Sequence, residues 1–205
     1  MRYLTLDEFA AQLASADPTP GGGSASAVAG AFGAALVGML ARLSIGRGGD
    51  DALFTQTAET MDAARTTLLD LAAEDARAYD AVMAAMGMPR GSDEEKRTRR
   101  QAIQFAMRGA AEVPLDVATR VRTVLEGARN ILSTANPNAV SDGAVAVLLS
   151  YAAAHGAIAN VRINLASIKD EEYGREITTR IDEIGERTGV LRDEGLAIVR
   201  ERLRR

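Results

Sequence analysis

Residues 18–41 form an uncharged run that constrains the fold more than any other part of the chain. The run reads PTPGGGSASAVAGAFGAALVGMLA, three glycines followed mostly by small or aliphatic residues. On a helix, Gly30, Ala34 and Gly38 stand one turn apart in a single row. A row without bulky side chains lets another backbone approach closely, so the run predicts a buried central helix.

Two other interpretations of this run are weaker. The run is long enough to cross a bilayer, but its first third is Pro, Gly and Ser and no aromatic belt flanks it. A glycine-rich turn before a helix can bind phosphate, yet the P-loop lysine and the strand of a Rossmann turn are missing. The turn still suits a carboxylate or another anionic group. We call its residues the glycine mouth: Gly21, Gly22, Gly23 and Ser24.

The remaining segments show helical periodicity throughout. Capping boxes begin at Thr5 and Ser92, Pro114 is expected to kink or split a helix, and Ser141 or Asp142 is expected to cap another. The prediction is an all-α antiparallel bundle of long helices, a single domain covering residues 1–205. The predicted helices cover residues 5–15, 22–45, 51–86, 92–113, 114–133, 141–169 and 171–204, the last loosened at Gly185 and Gly189.

Composition excludes several classes of site and partner. The chain of 205 residues has no cysteine and one histidine, His155, which rules out a thiolate or multi-histidine metal site within one chain. We expect His155 to lie in the core or at an interface, with no metal bound. The net charge of −4, with mixed signs, argues against broad nucleic-acid binding. No signal-peptide pattern opens the chain, and we expect a cytoplasmic protein with no membrane partner.

Five segments carry a resemblance to a known family. The segments are PTPGGGS at residues 18–24, AEDARAYDAV at 73–82, AAEVPLDV at 110–117, NPNAVSD at 136–142 and NVRINL at 160–165. Together, in this order, they resemble the cyclodeaminase/cyclohydrolase family of folate enzymes. The resemblance implies a helical homodimer that acts on the one-carbon unit of a tetrahydrofolate derivative, with one or several glutamates on the folate.

The resemblance leaves the reaction open between two chemistries. One is hydrolysis of 5,10-methenyltetrahydrofolate to 10-formyltetrahydrofolate, favoured because no formiminotransferase part is present. The other is cyclisation of 5-formiminotetrahydrofolate with release of ammonia. Both pass through a tetrahedral carbon between nitrogens and need a proton shuttle, which a carboxylate can supply without a metal. A third hypothesis, from another class, is a non-catalytic folate-binding helical dimer.

Two acids are the candidates for proton transfer, Asp142 first and Asp75 second. Asp142 follows the NPN turn at a helix start, although a plain capping role is equally compatible with that position. Asp75 forms an i, i+4 pair with Tyr79, so the carboxylate and the phenol can share a helix face. The alternative is a solvated acid at the rim of the bundle. Loss of turnover in Asp142→Asn with the fold retained would favour the enzyme over the scaffold.

Amide side chains are the candidates for binding the pterin ring, which presents both donors and acceptors. Asn160 and Asn164 lie one turn apart, and interhelical hydrogen bonding is the alternative role for both. Asp142 and Asn160 share a helix face, but an unbroken helix separates them by about 27 Å. One compact site in one subunit cannot hold both. Either they serve different ends of an extended folate, or a dimer partner supplies one of them, which is the hypothesis adopted here. The other candidate binding residues are Asn136, Asn138, Ser141 and Arg162, the last facing either a folate tail or an acid on a neighbouring helix.

Overall fold

The computed structural model describes residues 4–204, which form helices connected by short loops and contain no strand. The all-α prediction is therefore confirmed for this part of the chain. The elements in chain order are α1 Leu6–Leu13, α2 Gly22–Ser44, α3 Asp51–Met86, α4 Asp93–Ile131, a 3-10 turn Pro137–Ala139, α5 Val140–Leu165 and α6 Glu171–Arg202.

Helix α2 is the centre of the bundle and packs on α3, α4 and α5. Its glycines lie where neighbours come closest: a Cβ on Gly30 would be 2.6 Å from Val121 Cγ2, and a Cβ on Gly33 would be 2.2 Å from Ser150 Oγ. Ala27 and Ala34 are fully buried on the same helix. The small-residue run therefore makes a buried central helix, as predicted, because only small side chains leave room for α4 and α5.

Two helical stretches of the described residues, Gly22–Ser44 and Pro137–Leu165, are long and apolar enough to cross a membrane by length and composition. Their most apolar windows are 61% and 44% buried inside the bundle. The core helices of a helical bundle satisfy the same criterion, so these two stretches are weak evidence for a membrane span.

Helix α4 runs unbroken through Pro114, so the expected split is wrong. A proline removes the N–H that would bond the carbonyl four residues earlier, which is that of Ala110. The Asn164 side chain on α5 takes this place, with Nδ2 2.6 Å from the Ala110 oxygen. A hydrogen bond from another helix thus satisfies the carbonyl that the proline leaves free.

The start of α5 also differs from the prediction. Neither Ser141 nor Asp142 is the cap, because the 3-10 turn leads directly into α5 at Val140 and the N-cap position is Ala139. Helix α5 ends at Leu165, earlier than predicted. Helix α6 continues through Gly185 and Gly189 without a break. Helix α1 is shorter than predicted, but both predicted capping boxes are present, at Thr5 and at Ser92.

Candidate active site at the start of α2

A notch opens where α2 begins, because α3 and α5 both extend past that point. On α3, the helix continues beyond Asp75 and leaves Tyr79 36% and Met83 49% exposed on the side that a longer α2 would cover. On α5, Asn160 lies against Gly22, and Asn164 follows one turn later. We call this space the notch; its floor is the glycine mouth.

Asp75 is the acid at the floor of the notch. Its carboxylate is partly buried, and Oδ2 lies 2.8 Å from the Ser24 hydroxyl. The Ser24 side chain is itself fully buried, and its oxygen is also 3.0 Å from the Ala72 carbonyl. A hydroxyl has one proton to donate, so the two acceptors share it. Ser24 therefore fixes one carboxylate oxygen of Asp75 and leaves Oδ1 for other partners.

Gly23 makes room for this carboxylate. A Cβ on Gly23 would lie 2.1 Å from Asp75 Oδ1, which is closer than atoms can approach without a shift. No side chain caps the start of α2, where Gly21 is the N-cap residue. The positive end of the helix dipole therefore faces Asp75. The glycine mouth was expected to accept an anionic group. In this structure it faces a carboxylate of the same chain, that of Asp75.

The amide side chains of Asn160 and Asn164 form different hydrogen bonds. Asn160 Nδ2 donates to the Gly156 carbonyl on its own helix at 2.8 Å, and its Oδ1 receives no hydrogen bond from residues 4–204. The Asn164 Nδ2 donates a hydrogen bond to the Ala110 carbonyl on α4. Interhelical bonding, the alternative role considered above, therefore applies to the Asn164 amide nitrogen. Tyr79 is near Asp75 along α3 but forms no hydrogen bond with it.

Ser26 and Gly156 support the site, and sequence reasoning missed both. The Ser26 hydroxyl donates to the Gly22 carbonyl at 2.7 Å, and a Cβ on Gly156 would lie 2.4 Å from the Ser26 oxygen. The bond steadies the first turn of α2, and the glycine lets α5 approach it. The only signal in the sequence is that Gly156 precedes Asn160 by one helical turn.

The second group of predicted residues lies at the opposite end of the bundle. Helices α2 and α5 are antiparallel, so the start of α5 lies beside the end of α2, where Asn136 contacts Leu43 and Ser44. The unbroken helix from Val140 to Leu165 keeps Asp142 about 27 Å from Asn160. The residues placed at this far end are Asn136, Asn138, Ser141 and Asp142.

Asn136 stabilises the turn between α4 and α5 through its hydrogen bonds. Its Nδ2 donates to the Leu43 carbonyl at 3.1 Å, its Oδ1 accepts from the Asn138 backbone N–H at 3.0 Å, and its own N–H donates to Ser44 Oγ at 2.8 Å. The residue is buried. Asn138 and Ser141 are exposed, and Asp142 is partly buried in the first turn of α5.

Arg162 and His155 lie on the α6 side of α5. Arg162 pairs with Asp182 of α6 at 2.9 Å, so it faces an acid on a neighbouring helix. His155 is exposed in this chain, so of the two expected positions, core or interface, the core is wrong; its ring lies 4.3 Å from that of Tyr151. Partial burial lowers the pKa of His155, and the charges of Arg192 and Arg162 lower it further. No cluster of three His, Cys, Asp or Glu side chains within residues 4–204 could hold a metal ion.

Comparisons with known proteins point to one family over most of the chain. The family model described as formiminotransferase-cyclodeaminase matches residues 5–183. A methenyltetrahydrofolate cyclohydrolase of Methylorubrum extorquens is 38% identical over 192 residues, which cover 92% of both chains. The formimidoyltransferase-cyclodeaminase of Sus scrofa is 31% identical over 185 residues, 89% of this chain but 34% of that longer protein.

A solved structure shares the fold. The crystal structure of formiminotetrahydrofolate cyclodeaminase from Thermotoga maritima superposes with a TM-score of 0.87 at 29% identity and covers 97% of each chain. Sequence and fold comparisons thus agree with the resemblance carried by the five segments. The chain belongs to the formiminotransferase-cyclodeaminase family.

Proposed function

We propose that this protein hydrolyses 5,10-methenyltetrahydrofolate to 10-formyltetrahydrofolate, with Asp75 as the general base. The observation that carries the proposal is the match to a methenyltetrahydrofolate cyclohydrolase over 92% of both chains. The proposal includes no metal and a cytoplasmic location, and its substrate carries one or several glutamates. Neither nucleic acid nor a membrane takes part.

The substrate carries a positive charge shared between N5 and N10 around the methenyl carbon. A carboxylate beside that carbon stabilises the cation and can accept a proton from the attacking water. Water forms a C–O bond, Asp75 takes the proton, and a tetrahedral carbon results. The C–N5 bond then breaks as the C=O bond forms, N5 receives a proton from Asp75, and the remaining hydroxyl proton is released to solvent.

The surroundings of Asp75 fit this role. Ser24 occupies Oδ2 at 2.8 Å, which leaves Oδ1 to meet the water. The positive end of the α2 dipole faces this carboxylate. The free Oδ1 of Asn160 is suited to the N–H groups of the pterin, and Tyr79 with Met83 provides an apolar wall for its ring.

A cyclodeaminase remains the second candidate, because the superposed Thermotoga maritima protein is a formiminotetrahydrofolate cyclodeaminase. In that reaction N10 attacks the formimino carbon on N5, and ammonia leaves after protonation. The same carboxylate can take the proton from N10 and pass it to the departing nitrogen. Ammonia release from 5-formiminotetrahydrofolate separates the two activities.

We also propose that a second copy of the chain completes the site. Apolar side chains stand exposed along α5 and α2, including Val145 at 47%, Leu148 at 50% and Met39 at 36%. Small exposed residues on α5, Ala152 at its middle and Ala159 two turns later, would let two α5 helices come close. A twofold axis near the middle of α5 would place the α5 helix of the partner subunit antiparallel to this one. Asp142 of the partner subunit would then lie opposite the end of α5 that carries Asn160.

Mixed dimers test the shared site. Asp142→Asn and Asn160→Ala chains, each inactive alone, should regain up to one complete site per heterodimer when mixed. Subunit exchange is verified first by labelling one variant. Absence of any recovery after verified exchange would contradict the shared site. Leu148→Asp should shift the wild-type dimer towards monomer in sedimentation, and an unchanged dimer would place the interface elsewhere.

The decisive activity assay follows loss of methenyltetrahydrofolate near neutral pH against the spontaneous reaction. Wild type should accelerate the loss, and Asp75→Asn should reduce the rate by about 10²- to 10⁴-fold, the usual contribution of a general base. Asp80→Asn, a matched acid exposed on the same helix, should keep full activity. If wild type releases ammonia from 5-formiminotetrahydrofolate but does not hydrolyse the methenyl compound, the second candidate is correct.

A further inference from the structure

Arg202 is the last residue of α6, and its side chain reaches the end of α4. Its Nη1 donates to the Leu132 carbonyl at 2.6 Å, and its Nη2 donates to the Ala135 carbonyl at 2.6 Å. Leu132 and Ala135 are both buried. A guanidinium is planar and carries its N–H groups in a fixed fork, so one side chain holds the two carbonyls at a set spacing. We call these two hydrogen bonds the arginine clamp.

The two carbonyls depend on the clamp because no helix satisfies them. Helix α4 ends at Ile131, and the last carbonyls of a helix have no partner within it. Within the described part of the chain, no backbone N–H donates to the oxygen of Leu132 or of Ala135. A buried carbonyl without a hydrogen bond is costly, and a cation at the end of a helix is favourable. Arg202 therefore replaces donors that the backbone does not provide.

The clamped segment, residues 132–139, leads directly into the first turn of α5. Its NPN turn is fixed from the α2 side, where Asn136 Nδ2 donates to the Leu43 carbonyl and the Asn136 N–H donates to Ser44 Oγ. Arg202 fixes the same segment from the α6 side. The segment that precedes α5 is thus held between the ends of two helices.

Leu132 also supports the first turn of α5 with its side chain. Its Cδ2 lies 2.5 Å from the position that a Cβ on Gly143 would take, so a larger residue there would have to push the leucine away. Gly143 directly follows Asp142. The hydrogen bond to the Leu132 carbonyl therefore fixes a residue that packs against the turn carrying Asp142.

We propose that Arg202 is a positioning residue of the active site, which holds Asp142 in place for the notch of the partner subunit. This inference rests on the proposed function and on the shared site, in which Asp142 of one chain lies opposite the notch of the other. Arg202 acts through the main chain of the clamped segment and does not touch the substrate. Its loss should displace Asp142 and leave Asp75 and Ser24, at the other end of the bundle, unchanged.

The first test compares kcat for methenyltetrahydrofolate in three variants. Arg202→Met removes the clamp and should lower kcat about 10-fold or more, because a displacement of about 1 Å near the reacting atoms can cost about 100-fold. Arg202→Lys keeps the charge but not the fork, and it should lose less than Arg202→Met. Arg200→Met removes the same charge from an exposed position in the same turn of α6 and should keep the wild-type kcat. Circular dichroism first confirms that each variant is folded at the assay temperature.

Mixed dimers separate positioning from plain stabilisation of the fold. Asp75→Asn impairs the notch and Asp142→Asn impairs the opposite end, so each is expected to be inactive alone. Arg202→Met mixed with Asp75→Asn should recover about a quarter of the wild-type rate, since half of the dimers are then mixed and each has one intact site. Arg202→Met mixed with Asp142→Asn should give no more than the average of the two chains measured separately, because both changes affect the same end. Labelling one chain verifies subunit exchange.

The outcomes distinguish the role of Arg202 from the reaction itself. Wild-type kcat in Arg202→Met, or equal behaviour of its two mixtures, would overturn the positioning role. If Arg202→Met does not fold, Arg202→Lys is used in the same two mixtures and judged in the same way. If Asp75→Asn and Asp142→Asn do not recover activity with each other after verified exchange, the shared site and the role of Arg202 are both overturned, while hydrolysis by wild type still supports the proposed reaction. If wild type does not act on the folate, the proposed function and this role fall together.

Discussion

Asn164 donates a hydrogen bond to the carbonyl that Pro114 leaves without its helical partner. The bond crosses from α5 to the Ala110 oxygen of α4 and measures 2.6 Å. Two segments that carry the family resemblance, around Pro114 and around Asn164, are therefore in direct structural contact. This relationship indicates that Asn164 serves the stability of the bundle as well as bordering the notch.

Asn164→Ala should lower the free energy of unfolding by about 1 to 3 kcal/mol, since it leaves a partly buried carbonyl unpaired. Pro114→Ala restores the missing backbone N–H. In the Pro114→Ala variant, Asn164→Ala should lower the free energy of unfolding by less than half as much as it does in wild type. The measurement is a double-mutant cycle by urea denaturation. Equal costs in both backgrounds would show that Asn164 stabilises the fold in some other way.

Gly23→Ala should abolish most activity, because its Cβ would lie 2.1 Å from Asp75 Oδ1 and displace the carboxylate. We expect turnover to fall by about 10²-fold or more. Gly189→Ala on α6 is the matched control, since a Cβ there meets nothing within 4 Å. Gly189→Ala should retain activity, and its free energy of unfolding should rise by up to about 1 kcal/mol because alanine has the higher helix propensity. Full activity in Gly23→Ala would mean that Asp75 does not need its present position.

Asn136→Ala should affect stability and not substrate affinity within one subunit, because its side chain is committed to Leu43 and Asn138. A loss of about 1 to 3 kcal/mol in unfolding free energy is expected. Asn138→Ala, an exposed neighbour whose side chain forms no hydrogen bond within residues 4–204, should be nearly neutral in the same assay. A raised KM in Asn136→Ala with unchanged stability would instead support the substrate-binding role that the sequence predicts for it.

His155 gives the protein a pH dependence whose sign can be worked out. Burial, Arg192 and Arg162 lower its pKa in the folded chain, so the unfolded chain binds the proton more tightly. The contribution to stability is then fully present above about pH 6.5 and is lost as the pH falls through the lower folded pKa. His155 is the only histidine, so its NMR titration is unambiguous. The midpoint should lie below 6.5, the ordinary value, and Arg192→Gln should raise it; a midpoint that does not move would exclude the arginine's influence.

The sequence by itself determined the helices and their packing class. Capping residues at Thr5 and Ser92, the small-residue row of α2 and the apolar periodicity act locally, so they can be interpreted without knowing what lies across the bundle. The five segments further assigned the family. These features also placed Asp75 and Asn160 among the candidate residues.

Only the tertiary structure decided which of those residues meet. The packing of α2 against α3 and α5 brings Gly23, Ser24, Asp75 and Asn160 to one end and leaves Asp142 at the other. It also shows that Pro114 does not break its helix, because a side chain 50 residues later in the chain replaces the lost donor. Contacts between distant segments depend on how the helices are arranged around the core, and a periodic pattern within one helix carries no information about its neighbours' side chains.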